Sequence, residues 1–131
     1  MHHVVTGALV QGGQLLLAHR SPSRRWYPDV WDLPGGHVDS GETELEALHR
    51  ELHEELGIKA TEITPEPVAR ISERAAGLEL GLWVVRGWIG TPTNAQPHEH
   101  DEIRWVGPDQ LPVLHLAHAD YLGHLTALLT D

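Results

Sequence analysis

Apolar residues in this chain fall into short runs broken by Gly, Pro and polar clusters, with one stretch of clear helical period. Val4 to Val10 is an apolar run rich in β-branched residues, Gln11-Gly12-Gly13 is a turn signal, and Leu15 to Ala18 resumes the run. The pair predicts a hairpin. Residues 21–30 hold two Pro and two adjacent Arg and predict a loop, after which Trp31 to Leu33 predicts a short strand stopped by Pro34-Gly35-Gly36. From Glu44 to Leu56 the leucines at 45, 48, 52 and 56 make a buried helical stripe. Thr43 with Glu46 supplies a capping box at its start, and Gly57 a C-terminal cap. Residues 67–74 and 78–90 read as strands around Ala75-Ala76-Gly77, residues 91–101 as a polar loop, and Ile103 to Val106 as a final strand. Ala117 to Leu129 reads as a second amphipathic helix that buries Leu122, Leu125 and Leu129. Strands and helices mixed in this order predict an α+β (mixed α/β) fold with helices covering a sheet.

The length of 131 residues predicts one domain spanning 1–131, and an apolar share of 40% is enough for a core. Nineteen acids against nine bases give a formal charge of -10. A nucleic-acid backbone binder needs a concentrated basic face, so that class is disfavoured. Small phosphorylated ligands remain open, because bound cations can bridge carboxylates to phosphate. The chain has no Cys, which excludes disulfides, zinc knuckles, Fe–S sites and thiol nucleophiles. It shows neither a signal peptide nor a span of about 20 apolar residues, so a soluble cytoplasmic protein without a membrane partner is expected.

Gly36 to Ile58 holds seven of the nineteen acids and a single Arg. On a helix Glu51, Glu54 and Glu55 fall at i, i+3 and i+4 and share a face, where like charges repel. A hard divalent cation would turn that repulsion into attraction, because Mg²⁺ takes carboxylate and carbonyl oxygens while keeping room for phosphate and water.

The full spacing, G-x5-E-x7-R-E-U-x-E-E-x-G-U with U aliphatic, is carried by Gly36, Glu42, Arg50, Glu51, Leu52, Glu54, Glu55, Gly57 and Ile58. It is identified as a Nudix box with no departure, and Trp31-Asp32-Leu33-Pro34-Gly35 resembles the usual entry to it. In length and element order the chain resembles a minimal MutT-like Nudix hydrolase. The resemblance implies a mixed sheet sandwiched between helices, with the box as loop–helix–loop. It also implies hydrolysis of a nucleoside diphosphate linked to another moiety, using Mg²⁺ or Mn²⁺. Glu51, Glu54 and Glu55 would then coordinate metal, with the carbonyl of Gly35 or Gly36 as a backbone ligand. Arg50 would orient Glu51, and Glu42 would brace the loop through Arg50. The proton acceptor would be Glu51, Glu54 or a carboxylate from a later loop; Glu99 is favoured there over Asp101 and Glu102. Glu99 would also serve as a metal ligand.

Substrate clues are fewer. The resemblance makes Arg20 a phosphate or sugar contact and His37 a phosphate contact, with Arg24 and Arg25 as surface bases. Trp26 and Tyr27 are available to stack on a base, whereas Trp83 and Trp88 read as core, and His98 and His100 as loop residues. Relatives specific for oxidised guanine read the base with an Asn near the last helix; here His118 and Asp120 occupy that region, and the resemblance makes His118 or Asp120 a candidate to read a base edge. The Pro of ADP-ribose hydrolases and the Tyr of dinucleoside polyphosphate hydrolases are missing, and the missing Cys excludes isopentenyl diphosphate isomerases. The expected activity is cleavage of a (deoxy)nucleoside triphosphate to monophosphate and pyrophosphate. The alternatives are a nucleotide-sugar or ADP-ribose hydrolase, and a catalytically silent nucleotide-binding sensor.

Overall fold

The computed structural model describes residues 1–130. Strand β1 (His2–Gln11) turns at Gly12 and Gly13, with φ of 59° and 78°, and returns as β2 (Gln14–Arg20), placing Val10 opposite Leu15. Two consecutive left-handed residues match the twist of a tight hairpin, and glycine adopts them without strain. Short strands β3 (Trp31–Asp32) and β4 (Gly35–His37) precede helix α1 (Glu44–Leu56). Strands β5 (Lys59–Ile63), β6 (Ala69–Glu73), β7 (Leu78–Ile89) and β8 (His100–Val106) follow, then helix α2 (Tyr121–Leu129).

The sheet runs β3-β2-β1-β7-β5, with β4 on β1, β6 on β7 and β8 on β2. It is mixed, because β1 and β7 run parallel from His2 opposite Leu78 to Leu9 opposite Val85, while the other strand pairs are antiparallel. Alternation along the strands divides the apolar residues between two faces. Val5, Leu9, Leu16, Trp83 and Val85 pack under Leu48, Leu52 and Leu56 of α1. Ala8, Leu15, Leu17, Leu80 and Leu82 pack with Tyr121 and Leu125 of α2. The expected mixed sheet between helices is the observed architecture, and among the described residues no helix is long and apolar enough to cross a membrane.

Some elements differ from the sequence expectation. α2 starts at Tyr121 instead of Ala117, because residues 115–117 lie extended beside β3: Trp31 N–H donates to His115 O, and Ala117 N–H to Trp31 O, each at 2.8 Å. The buried residues of α2 are Tyr121 and Leu125, whereas Leu122 is 39% exposed. β8 begins three residues early, at His100, and Arg74–Ala76 is a 3₁₀ turn. β4 and β5 have no counterpart in the hydrophobic pattern.

Tyr121 anchors α2 to the sheet by donating its hydroxyl to Asp32 Oδ1 of β3 at 2.6 Å. Hydrogen bonds to charged groups contribute about 1.5–3 kcal/mol. Tyr121→Phe should therefore lower urea-unfolding stability by about 2 kcal/mol, while Leu122→Ala stays within about 0.5 kcal/mol. Equal losses for the two would contradict this placement of the helix.

Candidate active site

α1 is pinned at both ends. Thr43 Oγ1 accepts from Glu46 N–H at 3.1 Å, Glu46 Oε1 accepts from Thr43 N–H at 2.8 Å, and left-handed Gly57 donates to His53 O at 2.9 Å. With the leucines locked under the helix, the adjoining face carries Arg50 and the three glutamates.

Arg50 joins this face to the preceding loop. Its Nε and Nη2 donate to Glu42 at 2.7 and 2.9 Å, Nη2 also donates to His37 O at 3.0 Å, and Nη1 donates to Glu51 Oε1 at 2.8 Å. A weaker bond of 3.3 Å reaches Glu54 Oε2. Arg50 and the Asp39 amide hold the Glu42 carboxyl down at about 2, and the carboxylates hold the guanidinium well above its usual value. The three helix glutamates are therefore not an unrelieved crowd: Arg50 compensates Glu51 and Glu54.

Glu55 is the exception. It is 3% exposed and accepts from Gly35 N–H at 2.9 Å, with His100 Nε2 3.4 Å from its other oxygen. Burial, then the nearby Glu51, pushes its carboxyl well above the usual range. His100 does not compensate, since burial and the neighbouring Arg20 and Arg24 push its imidazole down to about 4. Two glycines make this arrangement possible. Gly35 has φ 154° and a side chain there would collide with the Val5 carbonyl, while a Cβ on Gly36 would sit 2.5 Å from the Glu51 carboxyl carbon.

Glu51 and Glu55 open onto a cleft that is also lined by Glu99, Asp32, Arg20 and Arg24. The loop acids separate clearly. Glu99 faces the cleft, Asp101 is bound to His19 Nδ1 at 2.7 Å, and Glu102 pairs with Arg104 at 2.8 Å.

Residues 1–129 match the family model described as NUDIX domain. The chain belongs to the Nudix family. It is 37% identical over 122 residues to the CTP pyrophosphohydrolase of Escherichia coli K12, covering 92% of this chain and 86% of that protein. It is 46% identical over 63 residues to the putative 8-oxo-dGTP diphosphatase 2 of Mycobacterium tuberculosis, covering 46% of this chain and 42% of that protein. The crystal structure of a MutT NUDIX hydrolase from Burkholderia pseudomallei superposes with a TM-score of 0.81 at 29% identity, covering 99% of this chain and 98% of that one. The chain is thus a Nudix hydrolase, an enzyme of phosphoric anhydride cleavage, and such hydrolases generally need divalent metal ions.

The Nudix box places its residues unevenly. Gly35, Gly36, Glu51 and Glu55 line the cleft, whereas Glu54 sits at the exposed rim on Arg50. Arg20 lines the cleft, but its Nε donates to the carbonyls of Trp26 and Tyr27 at 3.0 and 2.9 Å and its Nη2 to Trp26 at 2.5 Å. Left-handed Tyr27, with φ 48°, helps turn those carbonyls inward. His37 also lines the cleft, 2.9 Å from His2 Nδ1, with its pKa lowered by burial and by His2. His118 is buried in the cleft wall, while Asp120 is exposed. Two residues escape the sequence reading: Asp32 in the cleft floor, and His100, which is a buried strand residue and not part of an exposed loop. Neither has a local signal, since each gains its place only through pairing with β2.

No group of three or more His, Asp or Glu side chains among the described residues is already converged on one point as a metal site. The donors nevertheless fit a hard divalent ion chemically. Glu51, Glu55 and Glu99 line one cleft with Gly35 and Gly36, an all-oxygen set that suits Mg²⁺ or Mn²⁺. The buried, uncompensated Glu55 is the group that such an ion would satisfy.

The sign of the Glu55 effect on stability follows from linkage. A carboxyl whose folded pKa is raised weakens folding as pH rises above its unfolded value of about 4.3. Glu55→Gln keeps an acceptor for the Gly35 amide and removes the charge. Without metal it should raise Tm at pH 7 by about 4 °C, with the gain vanishing near pH 4. A lower Tm at pH 7 would show that the buried charge is already compensated.

Proposed function

We propose that this Nudix hydrolase cleaves nucleoside triphosphates to monophosphate and pyrophosphate with Mg²⁺ or Mn²⁺. One observation carries the reading: a buried, uncompensated carboxylate shares a cleft with four further carboxylates, two arginines and an aromatic ring, Trp26. Such a cleft suits a polyphosphate bridged by cations, with a base at the aromatic end. The CTP pyrophosphohydrolase relative, matched over most of both chains, supports a triphosphate over a nucleotide sugar or ADP-ribose. The intact box weighs against a silent sensor.

The cation would be held by Glu51, Glu55, Glu99 and the Gly35 or Gly36 carbonyl, with Glu54 joining on release from Arg50. When bound, it supplies charge neutralisation at the phosphoryl oxygens. The chain's residues do the remainder. Arg50 fixes Glu51 through a planar guanidinium that Lys cannot replace. Arg24, with the part of Arg20 not bound to carbonyls, and neutral His37 orient the phosphates. A water oxygen attacks phosphorus, the anhydride P–O bond breaks, and pyrophosphate leaves. The water's proton passes to Glu99, placed on the loop before β8, where it can move as substrate enters. Glu51 and Glu54 serve less well as acceptors because both already bond Arg50.

With Mg²⁺, Glu99→Gln should lower kcat for triphosphate hydrolysis by about 100-fold with KM little changed, within the range of a lost general base. Asp101→Asn and Glu102→Gln should cost much less, since both point to other partners. Steady-state pyrophosphate release checks this. Near wild-type turnover for Glu99→Gln would move the proton acceptor onto α1, and a wild type inert toward all nucleoside triphosphates would overturn the substrate reading.

A further inference from the structure

His118 is one of the few buried polar residues, 4% exposed, and it sits just before α2 between two tyrosine rings. Ring centroids lie 4.7 Å from Tyr27 and 4.9 Å from Tyr121. Its Nδ1 hydrogen-bonds Glu73 Oε1, and the same oxygen accepts the Tyr27 hydroxyl at 3.1 Å. A carboxylate only accepts, so Nδ1 carries the hydrogen, and in the neutral imidazole Nε2 is left as a bare lone pair. Nε2 has no partner among the described residues. It is also absent from the sealed-off unpartnered atoms, which are Trp83 Nε1, Asn94 Oδ1 and Gln96 Oε1, and its residue lines the active-site cleft. The lone pair is therefore not sealed off, on a residue of the cleft wall.

Its surroundings give that lone pair a meaning. Across Tyr121 lies Asp32, whose Oδ1 takes the Tyr121 hydroxyl and the Leu33 amide while Oδ2 has no described partner. At this end the nearest guanidinium, Arg20, is turned onto the Trp26 and Tyr27 carbonyls. The cleft thus presents acceptors beside the Trp26 ring, on whose face a base can stack.

We propose that His118, locked in one tautomer by Glu73, selects substrates by accepting a hydrogen bond from the exocyclic amine of a cytosine or adenine base. The proposal rests on the nucleoside triphosphate reading above and names the base class within it. A 4-keto or 6-keto base would bring an oxygen lone pair against Nε2 and leave both groups unpaired, which binding sites discriminate against strongly. Glu73 is here a positioning residue: it touches no substrate and acts by fixing which imidazole nitrogen bears hydrogen. A merely structural Glu73–His118 pair would hold α2 in place without any preference between amine and keto bases.

The test is the ratio of kcat/KM for CTP over UTP, and for ATP over ITP, measured with Mg²⁺ at alkaline pH. Within the size class that the enzyme accepts, the wild type should favour the amine by about 10-fold or more. Glu73→Gln should bring the ratio close to one, because an amide both donates and accepts and no longer fixes the tautomer. His118→Phe, which keeps the ring between the two tyrosines, should do the same. Melting curves identify a variant that fails to fold, in which case the other decides. An unchanged ratio in a folded variant, or a wild type indifferent to the amine, overturns the proposal while leaving triphosphate hydrolysis standing. A wild type that hydrolyses another nucleoside triphosphate but none of these four also overturns the proposal, whereas one inert toward all nucleoside triphosphates overturns the triphosphate reading instead.

Discussion

The site depends on unequal compensation of charge along one helix face. Arg50 binds Glu42, Glu51 and Glu54 and also the His37 carbonyl, so that a single guanidinium ties the box loop to α1 and offsets part of the repulsion among three carboxylates. Glu55, one residue beyond Glu54, is left buried, with the Gly35 amide and a neutral histidine as its direct polar contacts and the Glu51 carboxylate nearby. A buried carboxylate without a counter-charge is costly. Folding tolerates it because Leu48, Leu52 and Leu56 beside it are buried against β1 and β7, and the capping box and Gly57 fix where the helix begins and ends. Stability is thus supplied by the apolar face and the hydrogen-bonded ends, and the strain is concentrated at the proposed cation site.

The two layers divide the work. The α1 layer carries the carboxylates, while the α2 layer forms the opposite cleft wall through His118 and the Tyr121–Asp32 bond. The parallel pairing of β1 with β7 brings Leu78 and Leu80, which line the cleft, beside the N-terminal end of the chain, where the tilted His2 and Trp26 rings lie 4.1 Å apart.

The sequence is most legible where local physics dominates. Leucines at helical period, a capping box and a terminal glycine define α1 from its own residues, and the box spacing identifies the family. Legibility falls where an element exists only through distant partners. β4 contains two glycines and is held to β1 by backbone hydrogen bonds, so no side-chain pattern announces it. β5 is mostly exposed and bulged against β7, which erases its alternation. Residues before Tyr121 look amphipathic yet are drawn out straight by bonds to Trp31. Among site residues, His100 reads as part of a loop because its burial comes from pairing with Arg20, far earlier in the chain. The Glu73–His118 contact likewise spans 45 residues.

The central claim is that Glu55 is the group a divalent ion satisfies, and proton release reads it most directly. Mg²⁺ is titrated into the protein by calorimetry at about pH 6.5 in buffers of different ionisation heat. Because burial favours the protonated Glu55 carboxyl, ion binding should expel a proton. The account predicts a binding heat that varies with the buffer, a release that shrinks as pH rises, and loss of the effect in Glu55→Gln. A binding heat independent of buffer, or proton release unchanged in Glu55→Gln, would contradict it.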